Sequence, residues 1–148
     1  MRRTSRWLSL TGAVFSIALV SLVPKVHAQQ PAPVHMIRLY TGADGLSHFE
    51  QVEVPITDEG GTQSSPLKMG EAFVVREQPG DFEDWHNAGA RRYVVPIRGR
   101  AEVEVSGGGK FTLEPGEICL AEDLTGKGHT FRVVGDQPWV ALFVNFAK

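Results

Sequence analysis

This 148-residue chain predicts an all-β fold, a sandwich or barrel of about nine short strands. Three observations carry that reading. Beyond the first 28 residues no segment shows a convincing apolar period of 3.6, the mark of a packed helix. Short apolar runs recur at regular spacing, several with strict alternation. Gly and Pro stand between those runs, where tight turns need them.

The elements follow in order. Gln29 to Val34 is a Pro- and Gln-rich lead-in. His35 to Tyr40 predicts a first strand, ended by Thr41-Gly42-Ala43-Asp44-Gly45. Ser47 to Ile56 is half-buried, with Phe49, Val52, Val54 and Ile56 as its apolar positions. Thr57 to Pro66 reads as an exposed loop. Glu71 to Glu77 predicts another strand, closed by Pro79-Gly80, and Tyr93 to Ile97 a further one, ending at Gly99. Ala101-Glu102-Val103-Glu104-Val105 alternates strictly, so one face is buried and the other wet. Ser106 to Lys110 supplies a Gly-rich hairpin turn, Phe111 to Leu113 returns, and Pro115-Gly116 turns again. Ile118 to Ala121, Thr130 to Val134 and Trp139 to Phe146 complete the set.

The N-terminus predicts export. Arg2, Arg3 and Arg6 precede an apolar run from Trp7 to Val23; Pro24 ends it, and Val26-His27-Ala28 places small residues at a cleavage site. Residues 1–28 therefore read as a signal peptide, and 29–148 as one mature domain that is periplasmic or secreted with no retained membrane anchor. The signal segment holds four of the fifteen basic residues and none of the seventeen acidic ones. Eleven basic residues against seventeen acidic remain, a formal charge of −6. An acidic domain is a poor partner for nucleic acid or an anionic membrane. Cys119 is the only cysteine, so no intrachain disulfide forms. In Glu117-Ile118-Cys119-Leu120-Ala121 it reads as a small buried hydrophobe.

Two stretches resemble the motifs of the cupin superfamily. In the first, Gly80 stands ahead of His86, and Gly99 closes the motif. The family's second His position holds Ala88, and its Glu position, seven before Gly99, holds Arg92. In the second, Pro115-Gly116 leads through a strand to His129, with about two extra residues in Leu124 to Gly128. The strings Arg38-Leu39-Tyr40-Thr41-Gly42, Asp44 to Phe49, Asp84-Trp85-His86 and Ala121 to His129 resemble a subgroup of small single-domain cupins, over nearly the whole mature chain.

The resemblance implies a single-domain antiparallel jelly-roll β-barrel. It also implies a site at the barrel mouth where His86 and His129 hold a divalent transition metal: Fe, Mn, Zn, Ni or Cu. Glu122, Asp123 or His48 would join the shell. The alternative roles are catalytic, with Glu122 as proton shuttle, Arg92 orienting an anionic or carbonyl-bearing substrate, and His48 as a further imidazole. Arg92 is equally suited to pair with Glu122 or Asp123, and Arg91, its neighbour on the strand, is expected to face solvent. Lys127 reads as a turn lysine. Two function classes stay open: a small-molecule enzyme, with or without metal, and a non-catalytic binding module. A homodimer paired through residues 35–56 is the expected assembly.

Overall fold

The computed structural model describes residues 33–54, 56–59, 62–64 and 69–147. The expected signal peptide lies outside them. Among the described residues no helix is long and apolar enough to cross a membrane.

Twelve strands follow in order: β1 (His35–Thr41), β2 (Ser47–Glu53), β3 (Thr57–Glu59), β4 (Thr62–Ser64), β5 (Met69–Glu77), β6 (Phe82–His86), β7 (Arg92–Arg98), β8 (Arg100–Val105), β9 (Lys110–Leu113), β10 (Cys119–Glu122), β11 (His129–Val134) and β12 (Trp139–Phe146). From β5 onward the chain alternates between two sheets, except at the β8–β9 hairpin, which stays within one. One runs β10-β7-β12-β5 and the other β6-β11-β8-β9. This interleaving of two Greek keys is a jelly roll. β1 and β2 extend the first sheet beyond β10, so β2 and β5 are its two edges.

One expectation is corrected. The segment expected as an exposed loop over 57–66 contains the β3–β4 hairpin. Its polar composition hides the strand signal, because neither face shows an apolar phase. The sheets are antiparallel as expected apart from one pairing: β1 runs parallel to β10, with Ile37 opposite Cys119 and Leu39 opposite Ala121.

The core lies between the two sheets. In β8, Ala101, Val103 and Val105 are all buried while Glu102 and Glu104 alternate outward. Gly108 and Gly109, at φ of 91° and 101°, make the following hairpin turn. Trp139 is 1% exposed and stacks edge-on to Phe131, with ring centroids 4.8 Å apart. Cys119 joins the same cluster, and burial pushes its thiol well up, so it is a packing residue rather than a nucleophile.

Candidate functional site

A cavity of about 320 Å3 opens between the sheets. Apolar residues such as Leu39, Val94, Val103 and Phe131 form its body, and five acidic, cationic or imidazole side chains line it: Glu77, Glu83, His86, Arg92 and His129.

The two histidines meet through strand pairing. His129 opens β11 and stands opposite His86, the last residue of β6, with ring centroids 4.5 Å apart. Gly128 makes that approach possible. At φ 79° it turns the chain into β11, and a Cβ there would lie 2.0 Å from the His86 carbonyl oxygen. Any other residue would push the two strands apart.

Each imidazole is fixed by a different partner. The His129 Nδ1–H donates to Asp123 Oδ2 at 2.6 Å, and Asp123 is 0% exposed. The same oxygen accepts from the Ser47 hydroxyl at 2.8 Å, and the Ser47 backbone N–H donates to Ser106 Oγ at 2.8 Å. The N-terminal hairpin and the β8–β9 turn thus hold the carboxylate that holds His129. A carboxylate on Nδ1–H fixes the tautomer and leaves Nε2 with its lone pair.

His86 differs. Its Nδ1 lies 2.7 Å from the Asp84 carbonyl oxygen, which only accepts, so Nδ1 carries a proton. Its Nε2 lies 3.0 Å from Glu83 Oε2. That second contact is an ion pair when the ring is protonated. Side by side stand an imidazole braced by a buried carboxylate and one braced by a backbone carbonyl, with a second carboxylate near its other nitrogen.

Arg92 points inward from β7. Its Nε–H donates to the Ala90 carbonyl at 3.2 Å, and its guanidinium carbon lies 5.2 Å from the Phe143 ring and 5.9 Å from the Phe73 ring. Burial holds it below its ordinary pKa, yet a guanidinium remains charged at neutral pH. Among the described residues no carboxylate pairs with it.

Glu77 brings a second unusual group. Burial, then the charges of Glu83 and Asp81, push its carboxyl up to about 7. It lies on β5 in phase with Val75, which also lines the cavity. That phase was a signal available in the sequence: an acid at an inward position of an apolar alternation.

Other predicted site residues lie elsewhere. Glu122 does not line the cavity. Its carboxylate accepts from Arg38 Nε at 2.7 Å and from Arg91 Nε. Burial raises its pKa, but these two hydrogen bonds outweigh that effect and hold it below the ordinary carboxylate range. A carboxylate so engaged is a poor proton shuttle. Arg91 is half-exposed, yet it closes this network and lies 4.6 Å over the Phe146 ring. His48 also lies outside the cavity, its Nε2 2.9 Å from Asp44 Oδ2 and its ring tight against Gly107. Lys127 stacks at 4.6 Å over the Trp85 ring.

The residues do not fit the metal shell that the resemblance implies. Among the described residues no three His, Cys, Asp or Glu side chains are grouped so that they can share an ion. A cation, Arg92, stands where the resemblance expects a carboxylate ligand.

No protein-family profile matches the chain, and no curated protein does. Two solved structures are similar to it. Protein NMB1881 from Neisseria meningitidis shares 15% identity over 62% of this chain and 80% of its own, with a TM-score of 0.39. The Cupin_2 domain of an XRE family transcriptional regulator from Enterobacter cloacae shares 26% identity over 55% of this chain and 85% of its own, with a TM-score of 0.40. Strand order and the pairing of the two motif histidines decide the architecture. The fold is a jelly roll, the architecture that the sequence resemblance implies. Within that jelly roll, the two motifs meet on β6 and β11, and the departures at Ala88 and Arg92 change what the cavity offers.

Proposed function

We propose that this protein is an exported enzyme that moves protons on a small anionic or carbonyl-bearing substrate held between the sheets. One observation carries this reading: the His129–Asp123 contact of 2.6 Å on a fully buried carboxylate, beside His86, whose Nε2 lies 3.0 Å from Glu83 Oε2. Two neighbouring imidazoles in different surroundings can serve as the base and the acid of general acid–base catalysis.

Arg92 binds the carboxylate or carbonyl oxygen. His129 Nε2 removes a proton from the adjacent carbon, and the C–H electron pair moves toward that oxygen. Protonated His86 returns a proton at the oxygen, giving the enol, or at carbon, giving the exchanged acid, and proton exchange with water then restores both imidazoles. Asp123 stabilises the imidazolium formed on His129. Positioned acid–base groups of this kind contribute roughly 10²- to 10⁴-fold in rate.

The test is isotope exchange. The purified protein is incubated in D2O with pyruvate, 2-oxobutanoate and acetoacetate, and deuterium uptake beside the carbonyl is followed by proton NMR. Exchange of at least one acid should exceed buffer about 100-fold and vanish in His129→Gln. Binding of these acids without exchange would support the binding-module reading instead. Loss of exchange on chelation, restored by Fe, Mn, Zn, Ni or Cu, would support a metal enzyme. Pairing of two copies along the free edge of β2 is part of the same proposal, and sedimentation mass tests it.

A further inference from the structure

Two polar atoms in the cavity wall are buried without a hydrogen-bond partner among the described residues: Glu77 Oε2 and Trp139 Nε1. Each such atom costs about 1–3 kcal/mol in a folded protein and calls for an explanation. The two are neighbours. β12 pairs with β5 so that Trp139 stands directly opposite Glu77. Near the other end of β12, Asn145 stands opposite Arg92. The Arg92 guanidinium folds back over Phe143, whose ring centroid lies 6.2 Å from that of Trp139. The cavity thus has a cationic pole and an orphaned donor–acceptor pole, with one aromatic ring between them.

We propose that Glu77 and Trp139 form a hydroxyl-binding subsite, so that the substrate is a short hydroxy acid with its carboxylate on Arg92 and a hydroxyl at this second pole. This inference rests on the acid–base reading of the same cavity and names the substrate class for it. The indole N–H donates to the hydroxyl oxygen, and the hydroxyl hydrogen goes to Glu77. One group thereby satisfies both orphans. The unusually high pKa of Glu77, set by burial and by Glu83 and Asp81, suits a carboxyl that waits for a neutral partner rather than a cation. Sites built to bond a hydroxyl reject the analogue lacking it strongly, because their own polar groups are then left unpaired.

Calorimetry with matched probes tests this: butanoate, pentanoate and hexanoate against 4-hydroxybutanoate, 5-hydroxypentanoate and 6-hydroxyhexanoate. At one chain length the hydroxy acid should bind at least 10-fold more tightly than its parent. In Glu77→Leu that ratio should fall below 2, and Trp139→Phe should also reduce it. The ligand-free Glu77→Leu variant should melt above the wild type at pH 8, since the buried Oε2 has no hydrogen-bond partner among the described residues. A ratio near 1 at every length, a ratio that survives Glu77→Leu, or a lower melting temperature for that variant would each overturn the subsite. In those cases, parent-acid binding that Arg92→Met abolishes would leave the acid–base reading standing. Should no acid bind, or should binding ignore Arg92→Met, both readings fall together.

Discussion

Glu122 and Asp123 are adjacent carboxylates with opposite fates. Cys119 and Ala121 line the cavity, and Asp123 continues that inward phase to full burial against His129 and Ser47. Glu122, one residue earlier, lies on the other face and is held by Arg38 and Arg91. Strand alternation alone separates them. The outward acid joins two flanking strands, since Arg38 belongs to β1 and Arg91 precedes β7. The inward acid sets the state of a histidine in a cavity. The same functional group is thus assigned to architecture or to chemistry by parity.

The largest way to test this contrast is Asp123→Asn. The amide can still sit beside His129, but it no longer favours the Nδ1–H tautomer or stabilises the imidazolium. Exchange activity should fall about 10³-fold or more, as in other His–carboxylate pairs. Stability should fall by roughly 3 kcal/mol, because a buried partner is removed from a paired group. A variant that keeps its exchange rate would show that Asp123 is only structural. Chemical denaturation and NMR exchange on the same sample give both numbers.

Glu77 gives a smaller effect with a distinctive pH signature. Its folded value, about 7, lies above its ordinary 4.5. The fold therefore disfavours the charged form. Stability from this residue is fully present below about 4.5 and is lost as pH rises through about 7. Partial exposure to water screens the effect, which leaves about 1 kcal/mol. Wild-type stability should decline between pH 4.5 and 7.5 relative to Glu77→Gln, and parallel curves for the two proteins would refute the assignment.

Much of the fold was legible because the chain repeats a simple signal. The alternation in Ala101 to Val105 predicts β8, and Pro115-Gly116 predicts the turn before β10. Alternation reports which face a residue takes, but not which strand lies beside it. The parallel pairing of β1 with β10, between segments far apart in sequence, is therefore invisible to it. The candidate site shows the same limit. His86 and His129 are marked by their motifs, and Arg92 by standing where a Glu is expected. Glu122 and Asp123 are indistinguishable until the end of β10 is fixed, since a shift of one residue exchanges their faces. Glu83 and Trp139 carry no motif at all; only the strand pairing brings them to the cavity.

Glu122→Gln should have the smallest effect, and its smallness is the informative result. The two arginines use different carboxylate oxygens, so the amide, with one oxygen, keeps an acceptor for only one of them and loses the charge. These arginines are largely exposed, so water already screens the pairs, and the loss should be about 1 kcal/mol or less at pH 7. The folded pKa of Glu122 lies below its ordinary value. Its contribution is therefore present above about 4.5 and disappears as pH falls through the lowered value. Wild type and variant should differ at pH 7 and converge at the acid end, before global acid unfolding. Exchange activity should stay within about 2-fold, since no bond from Glu122 reaches His129 or Arg92 among the described residues. A loss approaching that of Asp123→Asn would mean that the outward carboxylate controls the cavity after all. The parity argument would then fail at the residue pair that defines it.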